Sequence, residues 1–176
     1  MVTYTERPWL KKYDPGVAHS LEPYPDIPLQ NFLKDSANKY PKNVALVTSA
    51  HLPVLGRVAA EINYEQLDQA TDALAVALID LGLKKGDRVA LVMPNTAAFV
   101  ISYFGVLKAG GVVSATNPTY PAEKMQAQIN DCGAEIVITL SMFYKTIKEI
   151  QPRTKLKTVI VTNVKEYLPS AARVLF

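Results

Sequence analysis

The chain has little of the chemistry that builds a self-contained active site or a disulfide framework. Its 176 residues include one cysteine, Cys132, and two histidines, His19 and His51, which lie far apart in the sequence. A single cysteine excludes an intramolecular disulfide, and these residues provide no zinc site of known ligand spacing. Because a nucleophilic thiol needs a nearby base, we interpret Cys132 as a small buried apolar residue on a helix. This cysteine usage fits a reducing compartment.

The common phosphate and nucleophile motifs are also missing. The sequence contains no Gly-x-Gly-x-x-Gly loop and no Gly-x-Ser-x-Gly elbow. Gly105 and Gly110 have the spacing of a Walker A loop, but the Lys-Ser/Thr pair that must follow is absent. We interpret this run as the end of a helix, where exposed carbonyl groups repel phosphate. The residues by themselves therefore predict no catalytic residue and no metal ligand.

Strong charge of one sign and long hydrophobic runs are lacking as well. The formal net charge is +3, with 49% apolar and 20% charged residues, which is typical of a soluble globular domain. These values exclude a disordered chain and a basic nucleic-acid-binding arm. No segment approaches the roughly 20 apolar residues that cross a bilayer, and no signal peptide is recognisable. We predict a cytoplasmic protein that does not bind nucleic acid.

The small net charge is unevenly distributed. Residues 1–140 carry 12 basic and 14 acidic residues, whereas residues 141–176 carry seven basic and two acidic ones. We interpret the basic residues as the solvated faces of a helix and a strand, since they are dispersed along the segment. Attraction of this end to phosphate groups or to an anionic membrane surface is the alternative.

Proline and aromatic residues dominate the beginning of the chain. Residues 1–28 hold five of the 12 prolines, interleaved with Trp9, Tyr13 and Tyr24. Because proline fixes φ and removes a hydrogen-bond donor, we predict an extended arm over residues 1–28. An SH3-type ligand is disfavoured because no repeated P-x-x-P with flanking arginines is present.

From residue 29 onward, periodicity predicts helices and short apolar strands in alternation. A helix over 29–40 is followed by two strands, 44–48 and 57–64, which we expect to pair in antiparallel fashion. The remaining elements are a helix over 67–81, strands over 88–93, 112–115, 135–140 and 158–162, and helices over 96–109, 121–132 and 141–150. Apolar strands alternating with helices predict an α/β fold, mainly a parallel βαβ sheet with flanking helices.

The chain divides on this basis into three parts. Residues 1–28 form the arm, residues 29–165 the α/β body, and residues 166–176 an apolar, helix-like end without a cap. Because this end finishes on Val-Leu-Phe with no polar residues, we expect the sequence to be cut from a longer chain.

Three runs of residues carry a resemblance to a known superfamily. Residues 62–67, 81–95 and 104–118 fall in the order and spacing of the adenylate-forming enzymes, which comprise acyl-CoA synthetases, peptide adenylation domains and luciferases. Asn63 and Gln66 depart from that pattern, which usually has Thr or Ser and Glu at these positions. Within the superfamily, residues 9–15, 117–121 and 164–169 look most like bacterial long-chain fatty acid–CoA ligases.

The resemblance implies an enzyme that uses ATP, Mg²⁺ and CoA to convert a long-chain fatty acid into its CoA thioester. The superfamily's phosphate loop, its magnesium-binding run, its ribose-binding aspartate and its C-terminal lysine have no counterpart in this sequence. The chain therefore looks like the first part of the large N-terminal domain, inactive alone and without a bound cofactor. The resemblance also implicates Asn117, Pro118 and Thr119 in the wall of the CoA channel. A proline-set turn before a helix is the alternative interpretation of these three residues.

Two other functions stay open at this point. One is a neighbouring adenylate-forming ligase that acts on aryl, medium-chain or amino acids, and the other is a standalone α/β binding module. If the chain is part of a larger domain, surfaces that are normally covered predict self-association. An amphiphilic substrate and the basic end also predict a peripheral contact with the inner face of a membrane.

Overall fold

Six strands and five α-helices follow one another in a computed structural model that describes residues 4–52 and 56–169. In chain order they are α1 (Leu29–Lys39), β1 (Val44–Leu52), β2 (Gly56–Asn63), α2 (Tyr64–Asp80), β3 (Arg88–Val92), α3 (Ala97–Lys108), β4 (Val112–Thr116), α4 (Ala122–Cys132), β5 (Ile136–Leu140), α5 (Tyr144–Ile150) and β6 (Thr158–Thr162). The alternation predicted from the sequence is confirmed. Residues 170–176 of the predicted helical end lie outside the described residues.

Four of the strands form a parallel sheet in the order β4-β3-β5-β6. Val92 of β3 aligns with Thr116 of β4 on one side and with Thr139 of β5 on the other. All five residues of β5 are buried, as expected for a strand that is covered on both faces. The α/β class and its parallel sheet are therefore confirmed.

The two faces of the sheet are covered by different helices, because successive side chains of a strand point to opposite faces. On β3, Val89 and Leu91 pack with Leu78 of α2 and Val106 of α3. Ala90 and Val92 face the other way, into a cluster with residues of α4 and α5, namely Met125, Ile129, Ile147 and Ile150. The sheet is thus the middle layer of three.

The first two strands form a separate antiparallel hairpin, as predicted. Its register runs from Val44 opposite Asn63 to Leu52 opposite Gly56, with an irregularity between Val44 and Leu46. β1 extends four residues beyond the predicted end at residue 48. The hairpin contacts α2 and α3, and the buried side chain of Leu168 packs against its Ala50 and Val58.

Some local details differ from the sequence-based expectations. Two short 3-10 turns, Tyr4–Glu6 and Pro8–Lys12, occupy the start of the arm, which the proline content did not predict. The helix expected over residues 141–150 begins as a 3-10 turn, Ser141–Phe143, and becomes α-helical at Tyr144. Cys132 is half-buried rather than buried.

The two departures from the superfamily pattern form one local structure at the start of α2. The Asn63 side chain accepts a hydrogen bond from the Gln66 backbone N–H at 2.8 Å, and the Gln66 side chain accepts one from the Asn63 N–H at 3.0 Å. This reciprocal capping box satisfies two of the N–H groups that a helix start leaves unpaired. Asn63 and Gln66 therefore perform together the task of the usual Thr or Ser and Glu.

A buried cation joins α2 to α3. Lys108, at the end of α3, lies 2.5 Å from Asp68 Oδ1 and 2.7 Å from Asp72 Oδ1, and its side chain is only 11% exposed. Its ammonium group also donates to the Asp68 backbone carbonyl at 3.2 Å. The charge is thus compensated by three oxygen atoms, as a cation held away from water requires.

We expect Lys108→Met to lower the free energy of unfolding by about 2–3 kcal/mol, because it leaves the mostly buried Asp68 carboxylate without its partner. The matched control is Lys42→Met, which removes the exposed Lys42–Glu65 pair, whose side chains are 78% and 42% exposed. That control should cost less than about 1 kcal/mol. Urea unfolding of both variants tests the difference. Equal losses in the free energy of unfolding would contradict a stabilising role for the Lys108 ion pairs.

Candidate functional site at the carboxyl edge of the sheet

The candidate site is the edge of the parallel sheet where its strands end, because the strand order reverses beside β3. From β3 the chain moves to β4 on one side, and from β4 it returns across β3 to reach β5 on the other side. The loops that follow β3 and β5 therefore lead to helices on opposite faces of the sheet. In open α/β sheets, ligands bind outside the carboxyl ends of the strands where the order reverses in this way.

The residues that the sequence singled out, Asn117, Pro118 and Thr119, lie together at this edge, directly after β4. Asn117 Oδ1 accepts hydrogen bonds from the Thr119 N–H at 3.0 Å and from the Thr119 hydroxyl at 2.8 Å. The Tyr120 N–H closes the turn on the Asn117 carbonyl at 3.2 Å. Proline fixes the backbone between the two side chains, so the turn is held rigidly.

The surface of this turn is accessible and polar. Asn117 and Thr119 are exposed, while Pro118 is half-buried. The carbonyl oxygen of the Asn117 side chain is used within the turn, so its amide group remains able to donate outward. Lys124, in the first turn of α4, places its ammonium 3.9 Å from the centre of the Tyr120 ring. The edge therefore offers hydrogen-bond donors and a positive charge beside one another.

Two buried threonines flank Val92 beneath this edge, and their hydroxyl groups differ. Thr139 Oγ1 donates to the Val92 carbonyl at 2.8 Å. Thr116 is 3% exposed, yet its Oγ1 has no hydrogen-bond partner among the described residues. Leaving a buried hydroxyl unpaired costs about 1–3 kcal/mol. The strand immediately before the Asn117 turn thus carries an unsatisfied polar atom.

Sequence reasoning missed the other polar residues of the same edge. After β3, Thr96 accepts from the Phe99 N–H at 3.3 Å and caps α3. After β5 and β6, the Asn163 side chain donates to Ser141 Oγ at 2.9 Å, which ties the two loops together. Their position in the sequence could have identified them, because each of these residues follows an apolar strand within four residues.

The expected absence of a phosphate loop at Gly105–Gly110 agrees with the backbone found there. Gly105 lies inside α3, where an added Cβ would meet Leu74 Cδ2 at 2.8 Å. Gly110 ends the helix with a φ of +80°, a conformation that favours glycine, and its N–H bonds to the Leu107 carbonyl at 3.0 Å. The glycines therefore serve close helix packing and a helix stop.

The ionisable side chains of residues 4–52 and 56–169 provide little chemistry for a catalytic or metal site. Within those ranges no group of three or more His, Cys, Asp or Glu side chains is placed to hold a metal ion. Burial raises the pKa of the Tyr167 phenol, and the negative charge of Glu166 adds to this, while a hydrogen bond with Thr162 acts in the opposite direction. Tyr167 is therefore neutral at physiological pH. Within the same ranges, no helix combines the length and apolar character needed to cross a membrane.

Comparison with known proteins shows which family and which relatives the chain resembles. The family model described as AMP-binding enzyme matches residues 33–173. The long-chain-fatty-acid–CoA ligase of Bacillus subtilis is 34% identical over 174 residues, which is 98% of this chain and 29% of that protein. The 4-coumarate–CoA ligase-like protein 1 of Arabidopsis thaliana is 34% identical over 133 residues, covering 72% of this chain and 23% of that protein.

A solved structure shares the fold. The crystal structure of a long-chain-fatty-acid–CoA ligase from Archaeoglobus fulgidus matches with a TM-score of 0.70 at 21% identity, covering 82% of this chain and 30% of that one. The chain thus spans less than a third of the length of each of these three relatives.

The two threonines that flank Val92 make a matched test of the unpaired hydroxyl. We expect Thr139→Val to lower the free energy of unfolding by about 1 kcal/mol, because it removes a made hydrogen bond. Thr116→Val should leave that free energy unchanged or raise it by about 1 kcal/mol, since it removes an unpaired buried hydroxyl. Chemical unfolding measures both, and a loss at Thr116 as large as at Thr139 would mean that Thr116 Oγ1 is bonded in solution.

Proposed function

The chain belongs to the AMP-binding enzyme family, and on that premise we propose that it forms the N-terminal part of an ATP-dependent long-chain fatty acid–CoA ligase. The observation that carries the proposal is the 34% identity to a long-chain-fatty-acid–CoA ligase along 98% of this chain. The overall reaction joins a fatty acid to CoA and converts ATP to AMP and pyrophosphate. We propose ATP, Mg²⁺ and CoA as the cofactors of the whole protein.

The described residues do not fit a site for ATP-Mg²⁺. They contain no cluster of acidic or imidazole ligands, and the two glycines at Walker A spacing end a helix instead of cradling phosphate. We therefore assign no catalytic or metal-binding residue to this chain. In our proposal, the 176 residues alone have no ligase activity and do not bind these cofactors at the carboxyl edge of the sheet.

The contribution that we propose for this chain is a wall of the channel that admits CoA. The pantetheine arm of CoA carries two amide groups, whose carbonyl oxygens accept hydrogen bonds. Support comes from the exposed Asn117 amide, which remains able to donate because its oxygen atom is engaged by Thr119. Pro118 and the closed turn hold this donor in place, so little conformational entropy would be lost on binding.

The division of the chain follows from the same proposal. Residues 1–28 serve as an arm, residues 29–165 as the first part of the adenylation domain, and residues 166–176 as a helical end. Val112 on β4 and Val161 on β6, the outer strands of the described sheet, are 48% and 42% exposed. We propose that the isolated chain self-associates through such surfaces, which light scattering over a range of concentrations tests.

We further propose a cytoplasmic protein that contacts the inner face of the membrane peripherally to collect its substrate. The described basic side chains between residues 145 and 165 are all exposed, namely Lys145, Lys148, Arg153, Lys155, Lys157 and Lys165. Cosedimentation with anionic liposomes, compared with the charge-reversed Lys155→Glu and Lys157→Glu double variant, tests this contact.

A ligase for aromatic acids is the second candidate, since the Arabidopsis relative reaches the same 34% identity over 72% of this chain. The two candidates share the reaction and differ in the acid. A standalone binding module, by contrast, would have no such reaction.

We expect the whole protein that contains this chain to form palmitoyl-CoA from palmitate, ATP and CoA, with release of pyrophosphate. Mass spectrometry of the thioester and a coupled pyrophosphate assay measure the two products. The 176-residue chain, under the same conditions, should produce neither. Turnover with 4-coumarate or benzoate but not with palmitate would favour the second candidate. Turnover by the 176 residues alone would contradict the proposal that the chain is one part of a longer ligase.

The CoA-channel proposal makes a separate prediction for the whole protein. Asn117→Ala should raise the KM for CoA by about 5–10-fold, the loss of about 1 kcal/mol of hydrogen bonding, while ATP-dependent adenylate formation stays unchanged. The control is Asn163→Ala. Asn163 also follows a strand, and its side chain also accepts a hydrogen bond from a backbone N–H in a turn. It lies after β6, which is the outer strand at the other end of the strand order from β4. A KM for CoA that is unchanged by Asn117→Ala would contradict the proposal.

A further inference from the structure

A concave surface lies at the opposite edge of the parallel sheet, where the strands begin. We define this amino-edge groove by residues 81–84, 87–88, 133, 135–136 and 157–158, which surround a volume of about 450 Å³. Arg88, Ile136 and Thr158 are the first residues of β3, β5 and β6. Five-residue strands therefore separate this groove from the Asn117 turn by roughly 15 Å. Its volume falls in the range of small-molecule sites.

The floor of the groove is apolar and its rim is charged. Leu81, Leu83 and Ile136 form the apolar part of the lining; Leu83 and Ile136 are only 5% and 7% exposed, whereas Leu81 is 53% exposed. Two acidic residues lie on the rim, and both are engaged within the protein. Asp87 accepts from the Lys84 backbone N–H at 2.9 Å, and Glu135 pairs with Lys157 at 2.7 Å.

Two cationic residues of the rim have no carboxylate partner among the residues that the structure describes. Lys84 and Arg88 line the groove, are exposed, and take part in none of the ion pairs found in the described ranges. The rim therefore has an excess of positive charge once the Lys157–Glu135 pair is neutralised.

The Arg88 guanidinium is already held in position. Its Nε donates to the Cys132 carbonyl at 2.9 Å, at the end of α4. Gly133 follows, and a Cβ added there would lie 3.2 Å from Arg88 Nη2, so the guanidinium rests against the glycine backbone. One N–H is used by this contact, and four others remain for a ligand. A guanidinium fixed in this way pairs with planar or tetrahedral oxyanions at low entropic cost.

We propose that the amino-edge groove binds an organic phosphate, with Arg88 and Lys84 pairing with the phosphate and Leu83 and Ile136 contacting the organic part. The groove is independent of the carboxyl-edge site and of the ligase proposal. Its role, by contrast, rests on the proposed function: if the reaction takes place at the carboxyl edge, a ligand in the groove is an accessory ligand and not the reacting substrate.

The test is a titration of the ¹⁵N-labelled 176-residue chain with phenyl phosphate and with inorganic phosphate, followed by NMR at a concentration where light scattering shows a monomer. We expect saturable shifts of the Gly82, Gly133 and Thr158 amides, with phenyl phosphate binding at least about threefold more tightly because of the apolar floor. Lys84→Gln should weaken phenyl phosphate binding by about threefold or more, and Arg88→Gln by about tenfold.

The matched control is Lys85→Gln, which removes the same charge from the neighbouring exposed residue, whose side chain does not line the groove. It should leave binding unchanged. Arg88→Lys keeps the positive charge but loses the planar guanidinium with its paired N–H donors, and it should give an intermediate affinity for phenyl phosphate. If Arg88→Gln disturbs folding, which its own spectrum reveals, Lys84→Gln alone decides the test. Shifts that do not saturate, or equal weakening by Lys84→Gln and Lys85→Gln, would overturn the proposal.

Discussion

Parallel pairing around β3 is the constraint on which the rest of this structure depends. A parallel strand cannot be joined to its neighbour by a tight turn, so each connection includes a helix that must cover one face of the sheet. β3 pairs with β4 on one side and β5 on the other, and four of its five residues are buried. Its alternating side chains anchor both hydrophobic clusters. The three layers and the two edges of the sheet, one where the strands begin and one where they end, follow from this arrangement.

The same constraint makes the two edges of the sheet chemically different. Helices that follow parallel strands begin near the carboxyl edge and end near the amino edge, so N–H groups gather at one edge and carbonyl groups at the other. At the carboxyl edge, hydroxyl and amide side chains such as those of Thr96 and Asn117 accept hydrogen bonds from backbone N–H groups. At the amino edge, Arg88 donates to the carbonyl of Cys132. The polarity of each edge therefore matches the helix ends that meet there.

Sequence reasoning succeeded where the signal was local. The end of α3 was predicted from the glycine stop at Gly110. The start of α2 was predicted three residues too late, at residue 67, because the capping box of Asn63 and Gln66 was not recognised in the sequence. Sequence reasoning succeeded less well where short-range patterns compete. Residues 141–143 form a 3-10 turn instead of a helical turn, and the proline-rich start contains two 3-10 turns. The role of Asn117 in a CoA channel is still a prediction, although the position of its turn at the carboxyl edge is now described.

The amino-acid sequence by itself determined the alternation of strands and helices, the α/β class and the resemblance to adenylate-forming enzymes, because these depend on periodicity and on motifs within short runs. Only the tertiary structure decided the order β4-β3-β5-β6, and with it which turns become neighbours. It also left the Thr116 hydroxyl without a partner among the described residues, while Thr139 donates to the Val92 carbonyl, and it brought Arg88 to Gly133. These outcomes depend on pairings and contacts between residues more than 20 positions apart, which local patterns do not encode.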